Sequence, residues 1–101
     1  MPDPRAMTEA NLQKAVTDLC KLYGLQWHHQ RYSIGSKSGW PDLAICGRTM
    51  ILRELKRESN EPTPAQLQWG MVLKRAGQDW AVWKPSDLAS GRIQAELEEI
   101  R

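Results

Sequence analysis

The 101-residue chain carries only two cysteines, Cys20 and Cys46, too few for a disulfide framework. Both sit in apolar stretches and read as buried thiols of a reducing compartment. No apolar run approaches the ~20 residues that a membrane-crossing helix needs. The opening MPDPRAM has no apolar signal core either, so a cytoplasmic location is expected. Charge of one sign is also scarce. A formal net charge of +2 permits nucleic-acid binding through a local patch without requiring it. Repeats and low-complexity segments are missing, as are helix-turn-helix, zinc-finger and basic-arm signatures, so no separate module for reading base sequence is expected. What is there is ordinary globular material, 41% hydrophobic and 26% charged. It is long enough for one domain whose core needs neither metal nor disulfide.

Residues 1–7, with prolines at positions 2 and 4, are expected as a flexible tail ahead of a single domain over 8–101. Thr8 caps a helix through TEANLQKAVTDLCKLY that stops at Gly24, with Leu12, Val16, Leu19, Cys20 and Tyr23 on one stripe. LQWHHQRY predicts a strand over 25–32, and SIGSKSGWP a loop. PDLAIC and MILRELKR form a hairpin. Thr63 caps a second helix with Pro64 at its first position and Gln66 three residues after the cap; Leu67, Trp69, Met71 and Leu73 give it a wide apolar face, and Gly77 ends it. DWAVW is a short strand, and a last helix opens at Ser86 or Gly91 with Ile93, Leu97 and Ile100 inward. Trp27, Trp69, Trp80 and Trp83 are assigned to the core. The adjacent His28 and His29 point to opposite faces of a strand and read as ordinary strand residues. Because the hairpin strands are apolar on both sides, helices should cover both faces of an α/β sheet.

Charges break this apolar pattern at three points of GWPDLAICGRTMILRELKR: Asp42, Glu54 and Lys56. Strand alternation puts Glu54 and Lys56 on one face. A two-residue loop would set Asp42 against Arg53. A three-residue loop, Gly47 to Thr49, pairs Cys46 with Met50 and Asp42 with Glu54, and this register gathers all three charged groups on one side. Facing carboxylates repel unless something positive lies between them. Hard oxygen donors without thiolate or imidazole favour magnesium, with manganese as a substitute. Such an ion activates water and neutralises charge on a phosphodiester. Lys56 either deprotonates and orients that water or remains cationic and steadies the phosphate. A bare surface ion pair is the bland alternative for the E-x-K spacing, and the Pro-Asp opening the preceding strand weighs against it.

Pro41-Asp42 followed by Glu54-Leu55-Lys56 resembles the PD-(D/E)xK nuclease superfamily. Glu9 at the start of the first helix, the G-x-PDL of Gly39 to Leu43 and the TPAQLQW of the second helix narrow the resemblance to its VRR-NUC (virus-type replication-repair nuclease) branch, in a compact stand-alone form. The resemblance spans roughly residues 8–88. It implies a restriction-endonuclease-like core, helix-strand-strand-strand-helix-strand, with a mixed central sheet flanked by helices. It makes Asp42 and Glu54 metal ligands with the Leu55 carbonyl as a third, Lys56 the catalytic lysine, and Glu9 a ligand directly or through water. An acid in a first helical turn also suits the helix dipole, so Glu9 has a structural reading as well. Gln66 is explained by its capping box, yet the family places this glutamine close to the active site, and the two roles are compatible.

Arg31, Tyr32, Ser36, Lys37 and Ser38 are expected to contact phosphates. Trp40 either stacks on a base or wedges the loop. The expected activity is magnesium-dependent, structure-selective hydrolysis of branched or junction DNA in replication, repair or recombination, by a homodimer when two strands are cut. The alternatives are a non-catalytic nucleic-acid-binding module that kept the fold, which intact Asp42, Glu54 and Lys56 argue against, and an RNA-directed nuclease with the same site.

Overall fold

The computed structural model describes residues 3–30 and 38–101. Arg31, Tyr32, Ser36 and Lys37, expected at the strand end and in the loop, lie outside the described residues. Pro4–Ala6 forms a single 3-10 turn capped by Asp3, and Met7, within the stretch expected as a loose tail, packs against the core. Helix α1, Glu9–Tyr23, begins at Thr8, whose hydroxyl accepts from the Asn11 amide, and ends at left-handed Gly24. Strands β1 (Gln26–His29), β2 (Leu43–Cys46) and β3 (Met50–Leu55) follow, then α2 (Pro64–Arg75), β4 (Asp79–Trp83), α3 (Pro85–Ala89) and α4 (Arg92–Ile100).

The four strands lie side by side in chain order. β1, β2 and β3 are antiparallel neighbours, and β4 joins β3 in parallel, as a strand reached through a crossover helix does. The sheet is therefore mixed and flanked by helices on both faces, an α/β architecture. Leu43, Ile45, Ile51, Leu55 and Trp83 meet α1 and α4 on one side. Leu52 and Trp80 meet α2 on the other, where Gly70 lies so close that an added Cβ would be 2.7 Å from the Trp80 ring. Each face also buries one charged strand residue: Arg53 is 2% exposed and Glu54 1%. Arg53 is fully matched. It forms ion pairs with Glu96 at 2.8 Å and Asp79 at 3.0 Å and lies over the Trp83 ring.

Several expectations need correcting. The first strand ends at His29 within the described residues, shorter than 25–32. The single last helix is two, because Gly91 takes φ 86° between α3 and α4 and turns the chain. Cys46 is exposed while Cys20 is buried, since Cys46 stands at the turn end of β2. The apolar face of α2 is narrower than expected. It buries Gly70 and Leu73, whereas Leu67 and Met71 point to solvent. Trp80 and Trp83 are buried, and Trp27 and Trp69 pack partly against the two core clusters.

Gly39 sets how closely the segment before β2 approaches α2. Its φ is 96°, and a Cβ there would lie 2.6 Å from the backbone of Ala65. Gly39→Ala is expected to lower stability by more than about 1 kcal/mol, from left-handed strain and collision together. Urea unfolding of the two proteins measures it; equal midpoints would mean that this approach is not constrained.

Candidate active site

The hairpin turn spans Gly47 to Thr49, closed by the Gly47 amide donating to the Thr49 carbonyl at 2.9 Å, and Cys46 pairs with Met50. The ladder runs to Leu43 opposite Arg53, so the next step along each strand brings Asp42 across from Glu54. Asp42 stands one residue before β2 and is tied in twice. Its carbonyl accepts from the Gln30 amide at 2.9 Å, and its Oδ2 accepts from the Leu55 amide at 2.8 Å. The second bond joins the acid of one strand to the backbone beside the acid of the next.

Glu54 is held from the other side by α2. Thr63 and Gln66 form a reciprocal capping box: the Gln66 amide donates to Thr63 Oγ1, and Gln66 Oε1 accepts from the Thr63 amide at 2.8 Å. That leaves the Gln66 Nε2 free to donate to Glu54 Oε1 at 2.9 Å. One side chain thus caps the helix and orients the acid. Glu54 Oε2 is buried without a hydrogen-bond partner. Burial first, then the nearby Asp42 carboxyl, push Glu54 up to about 9; Lys56 pulls the other way and Glu9 adds to the rise. Lys56 follows β3, half-buried, its amide donating to the Trp83 carbonyl at 3.1 Å.

A cavity of about 460 Å³ opens between the start of α1 and the ends of β1 and β2, lined by Glu9, Gln13, His29, Gln30, Asp42 and Leu55. Glu9, Asp42 and Leu55 are therefore brought together. Ser38 and Trp40 are not part of it. Ser38 lines a separate cavity with Trp69 and Val72, and Trp40 sets its ring edge-on to Trp69 at 5.0 Å while remaining 38% exposed.

No family model and no curated protein matches the sequence. Solved structures do. One, a VRR-NUC domain protein, shares 27% identity across 87% of this chain and 86% of its own, with a TM-score of 0.69. Another, described as a VRR-NUC domain, has 23% identity over 84% of this chain and 95% of its own, also with a TM-score of 0.69, and speaks for the fold. This chain is built as a VRR-NUC domain. Its fold is restriction-endonuclease-like and that of a nuclease family.

Three polar residues of this VRR-NUC domain's cavity, Gln13, His29 and Gln30, escaped the sequence reading. Gln13 had no distinguishing signal on an amphipathic helix. His29 read as an ordinary strand residue, and only the packing of α1 across β1 brings it to Asp42. Among the described residues no group of three or more His, Cys, Asp or Glu side chains is gathered for a metal. The donor set is narrower: two carboxylates and the Leu55 carbonyl. The unpartnered Oε2 of Glu54 fits a cation, since a proton or a positive ion is what that buried oxygen lacks.

The raised Glu54 has a stability consequence. Its folded value near 9 lies above the ordinary carboxylate value near 4.5, so the protonated group's contribution is complete below about 4.5 and is lost as pH rises towards 9. In chelator, Glu54→Gln is expected to match wild type near pH 4 and to melt several degrees higher near pH 9. Thermal melts across that range decide it; a gap that shrinks as pH rises would show that Glu54 is not protonated by its surroundings.

Proposed function

We propose that this VRR-NUC domain is a magnesium-dependent endonuclease that hydrolyses phosphodiester bonds in branched DNA such as flaps and junctions. The observation that carries the reading is the buried Glu54 carboxylate, set across from Asp42 with one oxygen unpartnered. Structure without function would replace such a group with an apolar residue, because an unmatched buried carboxylate is costly. Asp42, Glu54 and the Leu55 carbonyl would hold Mg2+, with Mn2+ able to substitute, and Glu9 would assist from the start of α1. The bound ion supplies Lewis-acid stabilisation of the phosphoryl oxygens and a more acidic water.

The chain's own residues do the rest. The Leu55 amide fixes the orientation of Asp42, and Gln66 fixes that of Glu54, so neither carboxylate must reorganise when substrate arrives. Lys56, whose charge already opposes the proton on Glu54, steadies the phosphate. Ser38 and the exposed edge of Trp40 contact DNA beside the site. Selectivity falls on the shape of the nucleic acid, and cutting both strands of a junction calls for a homodimer.

An assay on duplex, flap and four-way-junction DNA, with Mg2+, Mn2+ or chelator, tests this. Activity should need metal, favour the branched substrates, and fall at least ~100-fold in Lys56→Ala. Undiminished activity in that variant overturns the role of Lys56, equal cleavage of linear duplex overturns structure selectivity, and preferred cleavage of RNA overturns the substrate class. Light scattering of the DNA complex should give the mass of two chains plus that of the DNA.

A further inference from the structure

Besides Gln30, whose amide is tied to the Asp42 carbonyl, two polar side chains that line the cavity beside Asp42 have no part in the proposed chemistry. Gln13 lies on α1 one turn beyond Glu9, and His29 closes β1, opposite Leu43. Both are half-buried, and among the described residues neither side chain has a hydrogen-bond partner. Half-buried donors without partners are uncommon unless water or a ligand completes them. Their backbone is not loose: β1 pairs with β2 up to His29, and the Gln30 amide donates to the Asp42 carbonyl. The His29 backbone is therefore held at a set offset from the acid, and its side chain lines the cavity.

The charged groups that line this cavity are both acidic, Glu9 and Asp42. A polyanionic strand entering it meets repulsion on the cavity wall unless donors lie between the acids and the phosphates. Gln13 and His29 are those donors, one on each wall, where the cavity passes from α1 to β1.

We propose that His29, with Gln13, binds the phosphate next to the scissile bond, so that the cavity is the subsite that grips the DNA backbone. The inference rests on the nuclease reading and adds a substrate-binding residue to it. The chemistry requires an N–H directed at a phosphate oxygen, which glutamine supplies and leucine does not.

Two measurements on the full chain test it. With branched DNA and Mg2+, His29→Leu is expected to raise KM about tenfold, the loss of one hydrogen bond to a charged group, with kcat changed far less. His29→Gln restores most of the loss. In a Lys56→Ala background, fluorescence anisotropy with the same DNA should show the same weakening for His29→Leu, while Mn2+ titration and melting temperature stay at the Lys56→Ala values. A KM and an anisotropy affinity unchanged by His29→Leu overturn the proposal. So does a loss accompanied by equal weakening of Mn2+, which would assign His29 to the metal instead. If wild type cleaves nothing, the nuclease reading fails by itself, and the anisotropy arm still decides whether His29 grips a phosphate backbone.

Discussion

The structure turns on one buried carboxylate. Glu54 occupies a core position on β3, 1% exposed, where a hydrophobic side chain would pack without electrostatic cost. Everything around it limits that cost without removing it. Gln66 satisfies one oxygen, Lys56 contributes an opposing charge, and Asp42 adds a like charge that makes matters worse. The balance favours a proton on Glu54 near neutral pH. Two like charges this close oppose each other when both acids are ionised, and the proton on Glu54 removes that repulsion.

Arg53, one residue earlier, shows what a structural solution to the same problem looks like. It points into the opposite face and is about as buried, yet its guanidinium is met by Glu96, by Asp79 and by the Leu52 and Asp79 carbonyls, and it lies over the Trp83 ring. Glu96 in turn bonds Arg92 and the Trp83 indole. Neighbouring positions of one strand thus carry a closed network on one face and an open one on the other. The contrast separates a charge satisfied within the fold from one that keeps an unpartnered oxygen.

Much of this was legible in the sequence because it depends on local rules. Alternation assigned Glu54 and Lys56 to one face, turn length set the register that brings Asp42 across from Glu54, and T-P-x-Q spelled out the cap that positions Gln66. What was hidden depends on contacts between segments far apart in the chain. Nothing in QWHH distinguishes His29 from His28; the difference arises because α1 crosses one face of β1 and leaves the other open. The exposure of Leu67 and Met71 was hidden for the same reason. Helical periodicity marks apolar positions, but the close approach of Gly70 to the Trp80 ring decides which side of α2 turns inward. The break between α3 and α4 lay in the choice between Ser86 and Gly91, and both helices exist because Gly91 permits a left-handed turn between them.

The site draws on segments whose order in the chain explains its rigidity. Asp42 is tied to β1 through its carbonyl and to β3 through its carboxylate, Glu54 to α2 through Gln66, and Lys56 to the far edge strand through the Trp83 carbonyl. Each of these residues is therefore fastened, through side chain or backbone, to an element other than its own. A displacement of α2 would release Glu54 from Gln66, and a slip of β4 would disturb Lys56 together with the β3 residues, Glu54 among them, that pair with β4. Such cross-fastening keeps two like-charged acids apart at a set spacing, which neither strand could do alone. The energetic cost of the acids is met by the packing of the whole sheet, and that is why so small a domain needs helices on both of its faces.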